Sequence, residues 1–206
     1  MPRPAPVNRR ENILAAAREE FSARGFAGAR METIARRVGI SRAALYLQFD
    51  SKEAVFHELV EGLIAETLPA FAPEDFGDIP ADALLRGVVA TAIQRLTSGD
   101  IGFVPRLIVG EGQRFPELAR YYHDNALLRV LGLLERVIRH GVARGEFACA
   151  DPHLACRSIA GGVIMSALWK TVFEPVGAEC IDPAQMAAAH AETLLKGLLV
   201  REELVS

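Results

Sequence analysis

Apolar residues fall at helical spacing through the chain, and no segment is predicted to be a strand. Between Met31 and Phe56 two short helical patterns are separated by Gly39-Ile40-Ser41. The first turns Ile34, Ala35 and Val38 to one face, and Ala35 is small enough for a second helix to cross closely. Gly39 can take the positive φ that reverses the chain, and Ser41 offers its hydroxyl as N-cap to a helix beginning at Arg42. That helix turns Leu45 and Phe49 inward, which leaves Arg42, Ala43, Ala44, Tyr46, Leu47 and Gln48 on or beside its outer face.

Pro69 to Pro80, with three prolines, reads as a linker, and the helix after it is predicted to bury Leu84, Leu85, Val88, Val89, Ala92, Ile93 and Leu96. A helix from about Ile101 to Glu111 leads through Arg114-Phe115-Pro116 into a long helix ending near His140. Tyr121, Leu128, Leu131, Leu134 and Ile138 are among its apolar positions, and Gly141 and Gly145 end it. Asp151-Pro152 and Asp182-Pro183 each put an N-cap carboxylate before a proline at the first helical position. Gln185 completes a capping box, and Ile181 can staple onto Met186. Each mid-helix glycine costs roughly 1 kcal/mol against alanine, so Gly161-Gly162 predicts something packed on that backbone.

With 206 residues, 50% hydrophobic and 24% charged, the chain can bury a core and form a small domain plus a larger one. The leader MPRPAPVNRR, with Pro2, Pro4 and Pro6, is not expected to begin a helix. It holds Arg3, Arg9 and Arg10 ahead of the first apolar stripe, as a basic arm for DNA or a solvated terminus. No apolar secretory segment begins the chain, and its longest uncharged stretch, Ser158 to Trp169, is too short for a bilayer. No membrane partner and a cytoplasmic location are expected.

Charge sharpens the reading of the paired helices. Residues 1–52 carry ten Lys or Arg against five Asp or Glu, a balance of +5, while the remainder carries 13 against 21, a balance of −8, which together give the chain's −3. An acidic chain that gathers its positive charge around such a helix pair has the electrostatic footprint of a nucleic-acid binder. The pair is read as a DNA-binding helix-turn-helix, with Arg42 and Gln48 suited to guanine and adenine edges and Ala43 and Ala44 to thymine methyls.

Gly25-Phe26, Ile34-Ala35, Val38-Gly39-Ile40-Ser41, Leu45-Tyr46, Phe49 and Ser51-Lys52-Glu53-Ala54 resemble, in order and spacing, the N-terminal domain of TetR-family transcriptional regulators over residues 8–56. LIVGEGQRFPELARYY is similar, less specifically, to the C-terminal domain of an AcrR-like subset. The resemblance implies an all-α protein with a helix-turn-helix domain at 1–56, and a helical effector-binding and dimerisation domain at 57–206. It implies that Tyr46 and Lys52 touch the DNA backbone, and that Thr33, Arg42, Ala43, Ala44 and Gln48 lie against phosphate or bases, beside Ser41. The chain departs from the family at Ala29-Arg30, where capping hydroxyls are usual and Arg30 can replace a phosphate contact, and at Leu47, which offers no hydrogen bond.

The same resemblance implies a homodimer whose last two long helices pair. Gly161, Gly162, Ser166 and Ala187 would permit close crossing, Leu194 and Leu198 would supply apolar surface, and His190 would lie in the same interface; packing inside one subunit is the other reading. It also implies a small-molecule effector, for which Phe103, Leu107, Glu111, Phe115, Tyr122, Trp169 and Phe173 are candidate walls. The expected function is a ligand-released repressor on a palindromic operator in double-stranded DNA, with activation as the nearest variant. An all-helical ligand- or partner-binding protein that no longer reads DNA is the alternative. No cofactor or metal is expected: Cys149, His153 and Cys156 match no zinc spacing. No nucleophile elbow, phosphate-binding glycine loop or HExxH pair points to an enzyme.

Overall fold

A computed structural model describes residues 6–67, 76–97 and 101–200. Their regular structure is helical, apart from one antiparallel bridge between Phe147 and Leu199. Arg3 and the expected linker up to residue 75 lie outside the described residues. In chain order the helices are α1 (Pro6–Gly28), α2 (Met31–Val38), α3 (Arg42–Tyr46), α4 (Lys52–Thr67) and α5 (Ala81–Thr97). They continue with α6 (Phe103–Glu111), α7 (Pro116–Tyr122), α8 (Leu128–Ala143), α9 (Pro152–Leu168) and α10 (Pro183–Leu198). Among the described residues no helix is long and apolar enough to cross a membrane.

The chain divides into two compact units, and they do not follow the linear division at 56/57. One comprises Met1–Ala65 together with Phe103–Ala126, the other Glu66–Gly102 with Leu127–Ser206. The first therefore takes α6 and α7 in with the paired helices. Its core is an aromatic cluster of Phe21, Phe26 and Phe56, with ring centroids 5.6 to 6.1 Å apart, joined by Ile13, Ile34, Leu45 and Leu118. The second unit is a helical bundle whose core holds Leu85, Val89, Ile93, Val137, Ile138, Ile159 and Leu195.

Three expectations about the helices are corrected. Helix α1 begins at Pro6, so Arg9 and Arg10 lie in it and not on an arm; proline is tolerated in a first turn, where its missing N–H has no helical partner anyway. Arg10 lies 4.4 Å over the Phe49 ring, donates to the Gln48 carbonyl at 3.1 Å, and grips Glu58 through Nε at 2.6 Å and through Nη2. That pair holds its guanidinium above the usual arginine range. The long helix after Pro116 contains a π-helical turn, His123–Leu127, and continues to Ala143. The extra residue in that turn rotates the apolar face. Leu128 is consequently exposed, while Leu131, Leu133, Leu134, Val137 and Ile138 are buried. Gly141 lies within α8, where a side chain would run into the Phe147 ring and Ala81.

The two proline-led helices begin as their sequences dictate. The Asp151 carboxylate accepts from the Leu154 N–H at 3.0 Å and that of Asp182 from the Gln185 N–H at 2.9 Å.

Candidate nucleic-acid interface

Helix α2 turns Met31, Ile34 and Ala35 into the first unit's core and ends at Gly39, whose φ of 75° and ψ of 30° reverse the chain. The Ile40 N–H returns to the Ala35 carbonyl at 3.0 Å, which closes the turn. Ser41 stays extended and its Oγ accepts from the Ala44 N–H at 3.1 Å, so its hydroxyl serves as the N-cap of α3. Leu45 and Phe49 anchor α3 inward. Ser51 caps α4 in the same way, its Oγ accepting from the Ala54 N–H at 3.1 Å.

The expected DNA-contacting residues then fall into distinct environments. Arg30, Arg42, Ala43 and Tyr46 are exposed, and Thr33, Ala44 and Gln48 are half-buried. Arg42 is drawn sideways: its Nη1 pairs with Glu32 at 2.8 Å and its guanidinium sits 5.5 Å above the Tyr46 ring. Arg30 precedes α2 without capping it through its side chain, and its N–H lies 3.4 Å from the carboxylate of the fully buried Glu20. Arg24 at 3.5 Å and Arg37 at 3.7 Å compensate the Glu20 charge. Leu47 is 84% exposed.

Lys52 departs most from expectation. Its ammonium turns inward, donates to the carbonyls of Phe26 at 2.5 Å and Ala29 at 3.1 Å, and lies 4.4 Å from the centre of the Phe26 ring. Burial lowers its pKa, against the opposing pull of Glu53 and then Glu111. Lys52 thus ties α4 to the connection between α1 and α2, because those carbonyls lack helical partners.

A second clasp was not legible in the sequence. Gly25 breaks α1 with φ 66° and ψ −178°, a backbone region open essentially to glycine alone. The break frees the N–H groups of Phe26 and Ala27, and Glu111, at the end of α6, accepts both, at 2.8 and 2.7 Å. Phe115 packs edge-on against Phe26 at 5.0 Å, and Arg106 donates to the Ser22 carbonyl at 2.5 Å. Nearby, His57 stacks on Tyr121 at 3.6 Å, and the Tyr121 hydroxyl donates to Glu61 at 2.6 Å. Burial lowers the His57 pKa, with Glu61 and Glu53 opposing.

Of the candidate effector walls, Phe103, Leu107, Glu111, Phe115 and Tyr122 belong to the first unit, and Trp169 and Phe173 to the second. Phe103 and Leu107 are core residues; Glu111 and Phe115 are engaged with α1. Burial pushes the Tyr122 phenol up to about 12. Within the second unit a cavity of about 80 Å³ is lined by Ile93, Thr97, Met165, Ser166, Trp169, Lys170, Ile181 and Met186, among others. Trp169 anchors its rim by donating from Nε1 to the Glu179 carbonyl at 2.9 Å, and Lys170 pairs with Glu174 at 2.7 Å. Phe173 stands beside Trp169, centroids 5.6 Å apart, but outside that lining.

The residues expected at a dimer interface are largely used within the chain. Ser166, Ala187 and Leu198 are buried. Leu194 packs half-buried on the core, and His190 covers Gly162 while its Nε2 meets the Ile159 carbonyl at 3.1 Å. Gly161 alone among them is exposed, on a stripe of α9 and the turn after it that includes Leu154, Met165 and Val172. The Cys156 thiol turns to the His153 carbonyl at 3.1 Å, and His153 Nδ1 faces Glu135 at 3.4 Å. No group of three or more potential ligands gathers among the described residues.

Residues 13–59 match the family model for bacterial regulatory proteins of the tetR family, and residues 83–196 that for the C-terminal domain of AefR-like transcriptional repressors. The chain is 44% identical over 54 residues to the uncharacterized HTH-type transcriptional regulator YdgC of Bacillus subtilis, a match spanning 26% of this chain and 28% of that protein. It is 25% identical to the HTH-type transcriptional repressor KstR2 of Rhodococcus jostii, over 92% of this chain and 91% of that one. Among solved structures, the transcriptional regulator FadR of Bacillus subtilis, in complex with stearoyl-CoA, has a TM-score of 0.72 at 20% identity. The match covers 91% of this chain and 98% of FadR, and so establishes a shared fold.

Proposed function

We propose the function from one premise: this chain belongs to the TetR family of bacterial regulatory proteins. It acts as a ligand-responsive transcriptional regulator, in the first instance a repressor, that occupies a palindromic operator as a homodimer and is released by a small apolar or amphipathic molecule. It is a binding protein and not an enzyme. The observation that carries this reading is α3, capped by Ser41, presented beyond the Gly39 turn and set in the part of the chain with a +5 charge balance. Arg30, Arg42, Ala43, Tyr46 and Leu47 form the accessible contact surface, with Thr33 and Gln48 at its margin. Lys52 acts mainly by holding α4 in place.

Dimerisation follows from how such a surface reads DNA. One short helix spans a few base pairs, whereas two related by a two-fold axis read half-sites about one turn, roughly 34–36 Å, apart or further. The exposed stripe Leu154, Gly161, Met165 and Val172 supports a second copy seated on α9. The effector site is the cavity lined by Ile93, Trp169 and Met186. At about 80 Å³ it is smaller than the roughly 300 Å³ and above of ordinary ligand pockets. A ligand must therefore enlarge it, which Met165 and Met186 favour because methionine repacks readily. Met165 both lines the cavity and stands on the outward stripe, so a ligand that displaces it alters the proposed interface. The shift it drives is bounded by its differential affinity for the two states.

The test is selection of bound sequences from a random duplex library by the full chain at two salt concentrations. An enriched palindrome whose affinity falls steeply with salt is the expected result. Binding with no sequence enrichment would transfer the weight to a ligand- or partner-binding protein that does not read DNA.

A further inference from the structure

The residues best equipped to hydrogen-bond base edges are not the ones α3 holds out. Arg42 pairs with Glu32 and lies over Tyr46, and Gln48 is half-buried. What projects into solvent is Leu47, 84% exposed, one turn beyond the exposed Ala43 and so on the same helical face. An isobutyl group and a methyl thus form the free edge of a helix that lies in the positively balanced part of the chain, with Arg30 and Arg42 exposed there.

The positive balance of residues 1–52 selects a polyanionic partner, and among base edges in the major groove only thymine offers an apolar group, its C5 methyl. We infer that Leu47, backed by Ala43, is a specificity-determining residue that reads thymine methyl groups in the major groove. The inference rests on the DNA-binding reading above and adds to it the chemistry of the base contact: sequence choice by exclusion of water between methyl groups, with Arg30 and its neighbours supplying non-specific affinity to phosphate. Cytosine at the same step has no methyl at C5, and adenine and guanine present polar atoms that would lose water against the leucine without a partner.

The test uses the full chain and the operator obtained by the selection described above. Each thymine of one half-site is replaced in turn by deoxyuridine, which removes the methyl and leaves pairing intact, and affinities are measured for the wild type and for Leu47→Ala. The expected result is one or two thymines whose replacement weakens wild-type binding about fourfold, and about fifteenfold when both half-sites are changed. Leu47→Ala loses a comparable factor on the thymine operator and becomes indifferent to deoxyuridine there, while its binding to unrelated duplex and its salt slope stay as in the wild type. Because Leu47 supports no core, the variant folds, and a helical circular dichroism spectrum checks this.

Each contrary result has its own meaning. If selection yields no palindrome, the DNA-binding reading falls and this inference with it. A palindrome with no thymine sensitive to deoxyuridine leaves that reading standing and overturns the role of Leu47. A penalty that persists in Leu47→Ala overturns it too, since another group then touches the methyl.

Discussion

Removing the Glu111 carboxylate should loosen the first unit at one identifiable place. Its two oxygens accept from the Phe26 and Ala27 N–H groups at 2.8 and 2.7 Å, and both bonds have a charged acceptor. Such bonds contribute about 1.5–3 kcal/mol each. The Ala27 bond is exposed and its N–H regains water on removal, whereas the Phe26 N–H is partly covered, so Glu111→Ala should cost roughly 2–4 kcal/mol in all. For a chain of this size that lowers Tm by roughly 4–16 °C. Glu111→Gln keeps one acceptor oxygen and loses the other, and should fall between. Thermal unfolding followed by far-UV circular dichroism gives the ranking, and amide hydrogen exchange gives the location, as lost protection at Phe26. Gly25→Ala should reproduce the defect, because its backbone conformation excludes a side chain and a Cβ there would strike Glu111 Oε1. Combined with Glu111→Ala it should add much less than its own cost. A Glu111→Ala protein with wild-type Tm and wild-type Phe26 protection would refute the clasp.

Three further expectations follow from the same geometry. Lys52→Met keeps the aliphatic stem but leaves the Phe26 and Ala29 carbonyls without their donor. It should lower stability by about 1–3 kcal/mol in urea and reduce the salt slope of DNA binding by clearly less than one; a full unit with unaltered stability would put the ammonium on phosphate instead. His57 has a folded pKa depressed by burial below its unfolded value near 6.5, so its contribution is complete above that pH and is lost as pH falls through the folded pKa. His57→Phe, which preserves a ring against Tyr121, should flatten the decline of the urea midpoint between about pH 7 and 5, and parallel declines would exclude that source. Gly162→Ala drives a methyl into the His190 imidazole and should cost about 1–3 kcal/mol, whereas Gly132→Ala, exposed in α8 and meeting nothing, should add up to about 1 kcal/mol; the reverse order in chemical denaturation would refute the packing argument.

What could be read from the sequence was local. The Gly39 reversal, the Ser41 cap and the two Asp-Pro starts depend on residues within four positions of one another, and each appears as its chemistry dictates. The contacts that hold the interface together were hidden because they join distant segments: Arg10 with Glu58, Lys52 with Phe26, and Glu111 with Ala27. A lysine at a helix start carries the same sequence signal whether its ammonium meets a phosphate or an open carbonyl, and here the Phe26 and Ala29 carbonyls at the connection between α1 and α2 receive it. The small residues of α9 and α10 were ambiguous for another reason. A glycine permits close packing on any side, so Gly162 and Ala187 serve this chain's own core while Gly161 remains outside. At His123–Leu127 one extra residue in the turn shifted the helical phase, which periodicity read as continuous.

The outward stripe of α9 gives the proposed dimer a test that needs neither operator nor effector. Leu154, Gly161 and Met165 are separated by seven and four residues and so share one face of α9 over about three turns, with the exposed Val172 in the π-helical turn that follows. In a two-fold interface every residue is used twice, and one near the axis meets its own copy, as the absence of a side chain at Gly161 permits. A carboxylate at the neighbouring Met165 would therefore be introduced in pairs, with burial and like-charge repulsion acting together, at a cost of several kcal/mol. Met165→Glu should be monomeric by sedimentation velocity at concentrations where the wild type is dimeric. Val109→Glu, an equally abrupt change at an exposed apolar residue of α6, should leave the dimer intact and excludes a general effect of added charge. Because a monomer presents one recognition helix, Met165→Glu should also lose selective binding to the palindrome while retaining the non-specific, salt-dependent component. A Met165→Glu protein that remains dimeric would move the interface off this face of α9, and the Met165 link between cavity and partner would fall with it.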